Sequence, residues 1–160
     1  MAQIKSNYGT SNQPITITLN SLANGAVRAS TAADNSANCF LDAMVQLKIT
    51  TGASAPSGDK NVLVYAYGSA DSGQTYSGAA TGSDESFGAA AGQLIDNCKL
   101  LGIVTVDAAS ETFESDLFSV AGAFGGVLPE RWGIIVKNQT GQALGAGCGA
   151  FYQGVFAQAN

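Results

Sequence analysis

Histidine is absent from this chain, and charged residues are scarce. Of 160 residues, 7 are Lys or Arg and 12 are Asp or Glu, so charged residues make up 12% of the sequence. Soluble domains ordinarily carry about a quarter. Without histidine, the usual general base and the commonest metal ligand are missing, which excludes Ser-His-Asp and Cys-His catalytic sites. The composition therefore favours a structural or binding protein over an enzyme, and we expect no cofactor and no metal.

Long apolar runs and clusters of positive charge are missing as well. No segment approaches the ~18 apolar residues of a membrane helix, and the first residues lack the apolar stretch of a signal peptide. The net charge of −5 gives no attraction to phosphate backbones. We therefore expect a protein made in the cytoplasm, with neither a membrane nor a nucleic acid as its partner.

Cysteine is also rare, and Cys39, Cys98 and Cys148 lie far apart in the sequence. No C-x-x-C pair occurs, which excludes a zinc ribbon or a thioredoxin-like redox site. We favour three thiols that pack as small apolar side chains, with one disulfide as the alternative.

What the chain does have is a strand-like alternation of apolar and polar residues. The hydrophobic content of 46% excludes a generally disordered chain. Within residues 15–19, for example, three aliphatic residues alternate with two threonines and are predicted to share one sheet face. The further predicted strands are residues 26–30, 38–50, 62–67, 100–106, 111–120, 132–137 and 149–157. They predict an all-β protein, an antiparallel β-sandwich of seven or eight strands, jelly-roll-like in arrangement.

The ends and the connections of the chain are less regular. Polar residues 1–13 predict a flexible N-terminal arm, and residues 14–160 a single sandwich domain. Residues 68–92 form a long connection of small residues. Residues 93–101 are the nearest helical candidate.

Two carboxylate pairs are candidate chemical sites. Asp84 and Glu85 are adjacent and should point in opposite directions. Glu114 and Asp116 are two apart and should share one face of a strand. A solvated outer face is the favoured interpretation of the second pair, and a calcium or acid–base site is the alternative.

One local motif is more specific than these carboxylate pairs. Residues 69–76 resemble an Asp-box, S-x-D-x-G-x-T-W, with tyrosine in place of tryptophan. The aspartate can accept hydrogen bonds from the turn, the glycine can adopt a positive φ, and the aromatic ring can cover the turn. We predict a structural turn, and a sugar-facing loop with Tyr65, Tyr67 and Tyr76 as stacking surfaces is the alternative. The turn residues are Ser69, Asp71, Gly73, Thr75 and Tyr76.

The last predicted strand carries aromatic residues on both faces. Phe151 and Val155 share one face, and Tyr152 and Phe156 the other. Such a strand is either central and buried on both sides or part of a contact between subunits. These four residues are therefore the candidate interface.

The chain is similar to small structural proteins from the virions of tailed bacteriophages. The segments that carry this resemblance are ITITLNSLANG at residues 15–25, FLDA at 40–43, VYAYGSAD at 64–71, LPERWG at 128–133 and FYQGV at 151–155.

The resemblance implies a capsid decoration, or cement, protein located on the capsid surface of the virion. Its partner would be the major capsid protein, and it would act as a homo-oligomer, with a trimer favoured. No catalytic residue carries over. A tail or neck component and a carbohydrate-binding module are the alternatives.

Overall fold

The computed structural model describes residues 3–87 and 95–159 and shows an all-β sandwich of two packed antiparallel sheets. The predicted fold class is therefore confirmed, while the jelly-roll arrangement stays a prediction. The described strands are β1 (Ile4–Tyr8), β2 (Gln13–Ile15), β3 (Val27–Ala29), β4 (Ala33–Asp34), β5 (Asp42–Thr50), β6 (Asn61–Ser69), β7 (Glu85–Phe87), β8 (Lys99–Thr105), β9 (Thr112–Glu114), β10 (Phe118–Ser119), β11 (Arg131–Gln139) and β12 (Gly149–Ala159). A 3₁₀ turn (Ser77–Ala79) and one helical turn, α1 (Val120–Ala123), complete the described elements.

Sheet A is built around two long central strands, β12 and β5, which pair with each other. Two short strands, β1 and β2, pair in succession along the other edge of β12. Another two, β9 and β10, pair along the other edge of β5. The final strand is therefore central in its sheet, which is one of the two arrangements expected from its sequence.

Sheet B has the order β7-β3-β11-β6-β8, and β4 also pairs with β11. Its centre is the nine-residue pairing of β11 with β6. Both faces of this sheet carry buried apolar residues. Ile134 and Ile135, for example, lie on opposite faces, and both are fully buried. Sheet B is thus covered on both faces.

The main core lies between the two sheets. Sheet A contributes the alternate residues of β5, and these are fully buried: Ala43, Val45, Leu47 and Ile49. Sheet B contributes, among others, Val62, Val64, Trp132 and Ile134. The two-residue period of each strand therefore places one apolar face of each sheet against the other.

A second, smaller core covers the outer face of sheet B. Val27, Tyr67 and Ile135 of the sheet pack there with Ala80 and Ile95, which belong to the long connection between β6 and β8. Part of that connection, residues 88–94, lies outside the described residues, as do the first two residues of the helical candidate. Of its described residues, Ile95 is helical, whereas the last three are strand, since β8 begins at Lys99.

Several predicted strand limits were wrong for local reasons. Residues 16–19 show the expected alternation, with Leu19 buried, but they form no strand. Residues 38–41 form a turn instead, in which the Asn35 side chain bonds both the N–H and the C=O of Phe40. The predicted strand 111–120 is divided into β9 and β10, because Ser115 turns inward and its Oγ accepts a hydrogen bond from the Leu47 amide. This one division, together with the unpredicted strands β1, β4 and β7, gives twelve described strands rather than seven or eight.

The N-terminal residues contain a strand that the sequence did not predict. β1 lies within the predicted arm and pairs with the end of β12, although all five of its residues are exposed. Residue 13 begins β2, so the predicted boundary between arm and domain falls inside a strand.

Candidate functional site

The outer face of sheet A is the surface that best fits a binding role. Residues directly opposite each other in a ladder share a face of the sheet. The register of β5 with β12 therefore shows which residues of sheet A face the core and which face outward. Ala150 and Tyr152 lie opposite the buried Leu47 and Val45, on the core side. The outer side carries the alternate residues, which are Met44, Gln46, Phe151, Gln153 and Val155.

This outer face continues onto β1. Tyr8 lies opposite Val155, Ser6 opposite Ala157 and Ile4 opposite Ala159, so all three β1 residues share the outer side. Ile4 is 77% exposed and Tyr8 is 62% exposed. The pairing of β12 with β5 ends at Val155. Beyond that residue, β1 and β12 pair only with each other and form a two-stranded ribbon that leaves the sandwich.

Charge is almost absent from this surface. Among the described strand residues on the outer face, the charged side chains are Asp42, Lys48 and Glu114. Lys48 lies opposite Glu114 at the end of the sheet away from the ribbon. The Asp42 carboxylate is occupied, because it accepts hydrogen bonds from Ser119 Oγ at 2.7 Å and from the Ala121 amide at 2.8 Å. The middle of the face is consequently polar or apolar but uncharged.

Phe151 stands at the centre of the outer face between two shallow clefts. One cleft, of about 110 Å³, is lined by Met44, Gln153 and the exposed Leu117. The other, of about 220 Å³, is lined by Gln46 and the Lys48–Glu114 pair. An aromatic ring flanked by small clefts offers both a contact surface and recesses for a partner's side chains.

The four candidate interface residues of β12 divide between the two sides. Phe151 and Val155 lie on the outer face. Tyr152 faces the core, where its ring packs edge-on against Trp132, and burial raises the pKa of its hydroxyl. Phe156 lies 6.2 Å from the Phe40 ring, measured between centroids. The alternation was predicted from the sequence, but the inward partners of Tyr152 and Phe156 were not.

The five residues of the Asp-box-like turn come together in the structure. Asp71 Oδ1 accepts hydrogen bonds from Ser69 Oγ at 2.6 Å and from the Thr75 amide at 2.9 Å. Its Oδ2 accepts one from Thr75 Oγ1 at 2.7 Å. These hydrogen bonds, that from Ser69 first, lower the pKa of Asp71 to about 2. The Gly73 φ is +92°.

The aromatic residues Tyr67 and Tyr76 near this turn pack against each other. Tyr76 contacts Tyr67 edge-on, with 5.4 Å between ring centroids. Tyr67 is fully buried and its hydroxyl donates to the Ser30 carbonyl at 2.6 Å, so a stacking role for Tyr67 was wrong. The turn is thus covered by the Tyr76 ring, and its carboxylate already accepts hydrogen bonds.

The two members of each carboxylate pair lie in different surroundings. Asp84 bonds Arg28 Nε at 2.5 Å and Thr18 Oγ1 at 2.6 Å, whereas Glu85 bonds Thr81. Burial raises the pKa of Asp84, but these hydrogen bonds outweigh it and the net pKa is lowered. Because β9 ends at Glu114, Asp116 lies outside any strand, and the expectation that the two share a strand face was wrong.

Within residues 3–87 and 95–159, no group of three or more Cys, Asp or Glu residues is placed to hold a metal ion. No helix in this part of the chain has the length and hydrophobicity needed to cross a membrane. The three cysteines form no disulfide with one another.

A polar cleft lies away from the outer face, at one end of the sandwich. It measures about 450 Å³ and is lined by the loop residues Asn24, Ser57 and Asp59 and by Gln139, the last residue of β11. Its lining offers hydrogen bonds but no ring for stacking.

Comparisons with protein-family models, with curated proteins and with solved structures each find no match.

Proposed function

We propose that this protein is a non-enzymatic structural component of a tailed-phage virion, and that it decorates and stabilises the capsid shell as an oligomer. The observation that carries the proposal is the outer face of sheet A, which is uncharged at its centre and which the described part of the chain leaves uncovered. The resemblance noted in the sequence supplies the partner, the major capsid protein.

The contrast between the two sheets supports a binding role for this face. The outer face of sheet B is closed by the connection after β6, which supplies Ala80 and Ile95 to the second core. Within residues 3–87 and 95–159, nothing comparable covers the outer face of sheet A, yet this face carries Phe151, Met44 and Val155 with few charges. Charged side chains are the usual protection of an exposed sheet, and their scarcity here fits a surface that meets another protein.

Decoration also suits the modest size of the individual contacts. The clefts beside Phe151 are small, and one copy would bury only a limited area. An oligomer that engages several capsid subunits at once gains avidity without any new contact. Strong attachment therefore follows from the number of copies rather than from one deep site.

The proposal is tested by sedimentation of the purified protein with capsids that lack it. Phe151→Glu places a charge at the centre of the outer face and should abolish co-sedimentation while the melting temperature stays near that of the wild type. The matched control is Ile103→Glu, which changes a 49% exposed residue of the edge strand β8 in sheet B. Equal binding by both variants and the wild type would contradict the proposal, and so would wild-type protein that never pellets with capsids.

A further inference from the structure

The free edge of β1 offers backbone groups for pairing. Gly9 lies in the same register as β1, and its amide donates to the Gly154 carbonyl at 2.8 Å. In an antiparallel ladder, residues that bond the partner strand alternate with residues that do not. The backbone N–H and C=O groups of Ile4, Ser6 and Tyr8 therefore point away from β12. Among the described residues, no strand pairs with that side of β1.

One of these groups is covered within the chain. The Tyr8 amide donates to Asn7 Oδ1 at 2.9 Å, and Asn7 Nδ2 in turn donates to Gln158 Oε1 at 2.5 Å. The amides of Ile4 and Ser6 and the carbonyls of all three residues have no such partner in the described structure. An open row of this kind is a template for a further strand.

The sequence of β1 is complementary to itself in the antiparallel direction. The register that overlaps all five residues places Ser6 opposite Ser6 of the second copy. Ile4 then lies opposite Tyr8, an aliphatic–aromatic pair on the outer face, and Lys5 lies opposite Asn7 on the other side. Cross-strand pairs of this kind are stabilising, whereas like charges placed opposite each other are not. In this register no like charges meet.

We propose that two copies of the chain associate through antiparallel pairing of their β1 strands about a twofold axis at Ser6. The two A sheets become one continuous sheet, and their outer faces lie side by side. The contact is isologous, so it closes with two copies and predicts an even number of chains. A trimer formed through another surface would accordingly associate in pairs into six copies. The inference does not depend on the virion role.

The first measurement is the mass of the purified full-length protein by sedimentation velocity. An even multiple of the 16.1 kDa chain is expected, and a monomer or an odd multiple would overturn the proposal. The Ser6→Ala control keeps the backbone amide and the absence of charge, and should assemble as the wild type does.

The second measurement exchanges charge at the twofold axis. Ser6→Glu and Ser6→Lys each place two like charges opposite one another, and each variant alone should have half the mass of the wild-type assembly. Mixing the two places Glu opposite Lys and should restore the wild-type mass. Far-ultraviolet circular dichroism of each variant checks the fold, because Ser6 is exposed and its amide faces away from β12. Assembly that persists in the single variants, or that does not return on mixing, would overturn the β1 pairing whatever the result of capsid binding.

Discussion

The ring of Tyr152 stands edge-on to the indole of Trp132, with 5.3 Å between their centroids and 89° between their planes. Tyr152 belongs to β12 and Trp132 to β11, the central strands of opposite sheets. This contact therefore fixes β12, whose outer side we propose for binding, against the opposite sheet. Edge-to-face pairs of this kind contribute about 0.5–1.5 kcal/mol beyond the burial of their area.

Trp132→Ala should lower the free energy of unfolding by about 3–5 kcal/mol, because it removes a fully buried indole and leaves a cavity between the sheets. Urea denaturation followed by circular dichroism gives this value. Val127→Ala is the control, since it shortens a 70% exposed side chain and should change stability by less than about 0.5 kcal/mol. Equal losses in the two variants would contradict the placement of Trp132 in the core.

Gly73→Val should destabilise the protein by about 1 kcal/mol or more, because Gly73 has a φ of +92° that a β-branched residue tolerates poorly. An added Cβ would also lie 2.7 Å from the Tyr76 hydroxyl. Gly25→Val is the matched control, with a φ of +79° but no atom within 4 Å of the added Cβ. The larger fall in melting temperature should occur at Gly73, and an unchanged value there would reject the turn.

Stability should decrease as the pH falls from about 4 to 2, in part because Asp71 becomes protonated. Hydrogen bonds from Ser69 and Thr75 hold the pKa of this carboxyl at about 2 in the folded protein, below the ~3.9 of an unfolded chain. The stabilisation is therefore complete above the unfolded pKa and is lost as the pH falls through the folded one. Asp71→Asn should make the urea midpoint less dependent on pH in this window. Thr75→Val keeps the carboxylate but removes one donor, and it should have an intermediate effect; identical profiles for all three proteins would refute the assignment.

The three thiols should differ in their reactivity towards iodoacetamide at pH 8. Cys39 is exposed, whereas burial raises the pKa of Cys98 to about 11 and also raises that of Cys148. Since the thiolate is the reactive form, Cys39 should be alkylated first and the other two slowly. Peptide mass spectrometry over a time course measures the three rates. The difference between the three alkylation rates should disappear in urea. Equal rates in the native protein would contradict the burial of Cys98 and Cys148.

The sequence predicted the long strands better than the short ones. β5, β6, β11 and β12 have clear apolar alternation or continuous apolar runs, and their centres were found. β9 and β10 were merged into one strand because the inward turn of Ser115 depends on a hydrogen bond to a residue 68 positions away. Residues 16–19 alternate as a strand does, but β2 ends at Ile15. Local patterns predict burial, whereas pairing depends on distant partners.

The candidate site was predicted only in part. The two-residue period correctly separated Phe151 and Val155 from Tyr152 and Phe156. It could not show which pair faces outward, because that depends on the register with β5. β1 was missed altogether, since its five residues have no buried side chain and therefore no hydrophobic pattern.

The most direct test of the virion role is a density map of the assembled particle by electron cryomicroscopy. We predict a two-layered sandwich on the outer surface of the capsid, with Phe151 and its neighbouring clefts turned towards capsid subunits or an adjacent copy. Density for this sandwich in the tail or neck, or on the capsid with the outer face of sheet A open to solvent, would contradict the account.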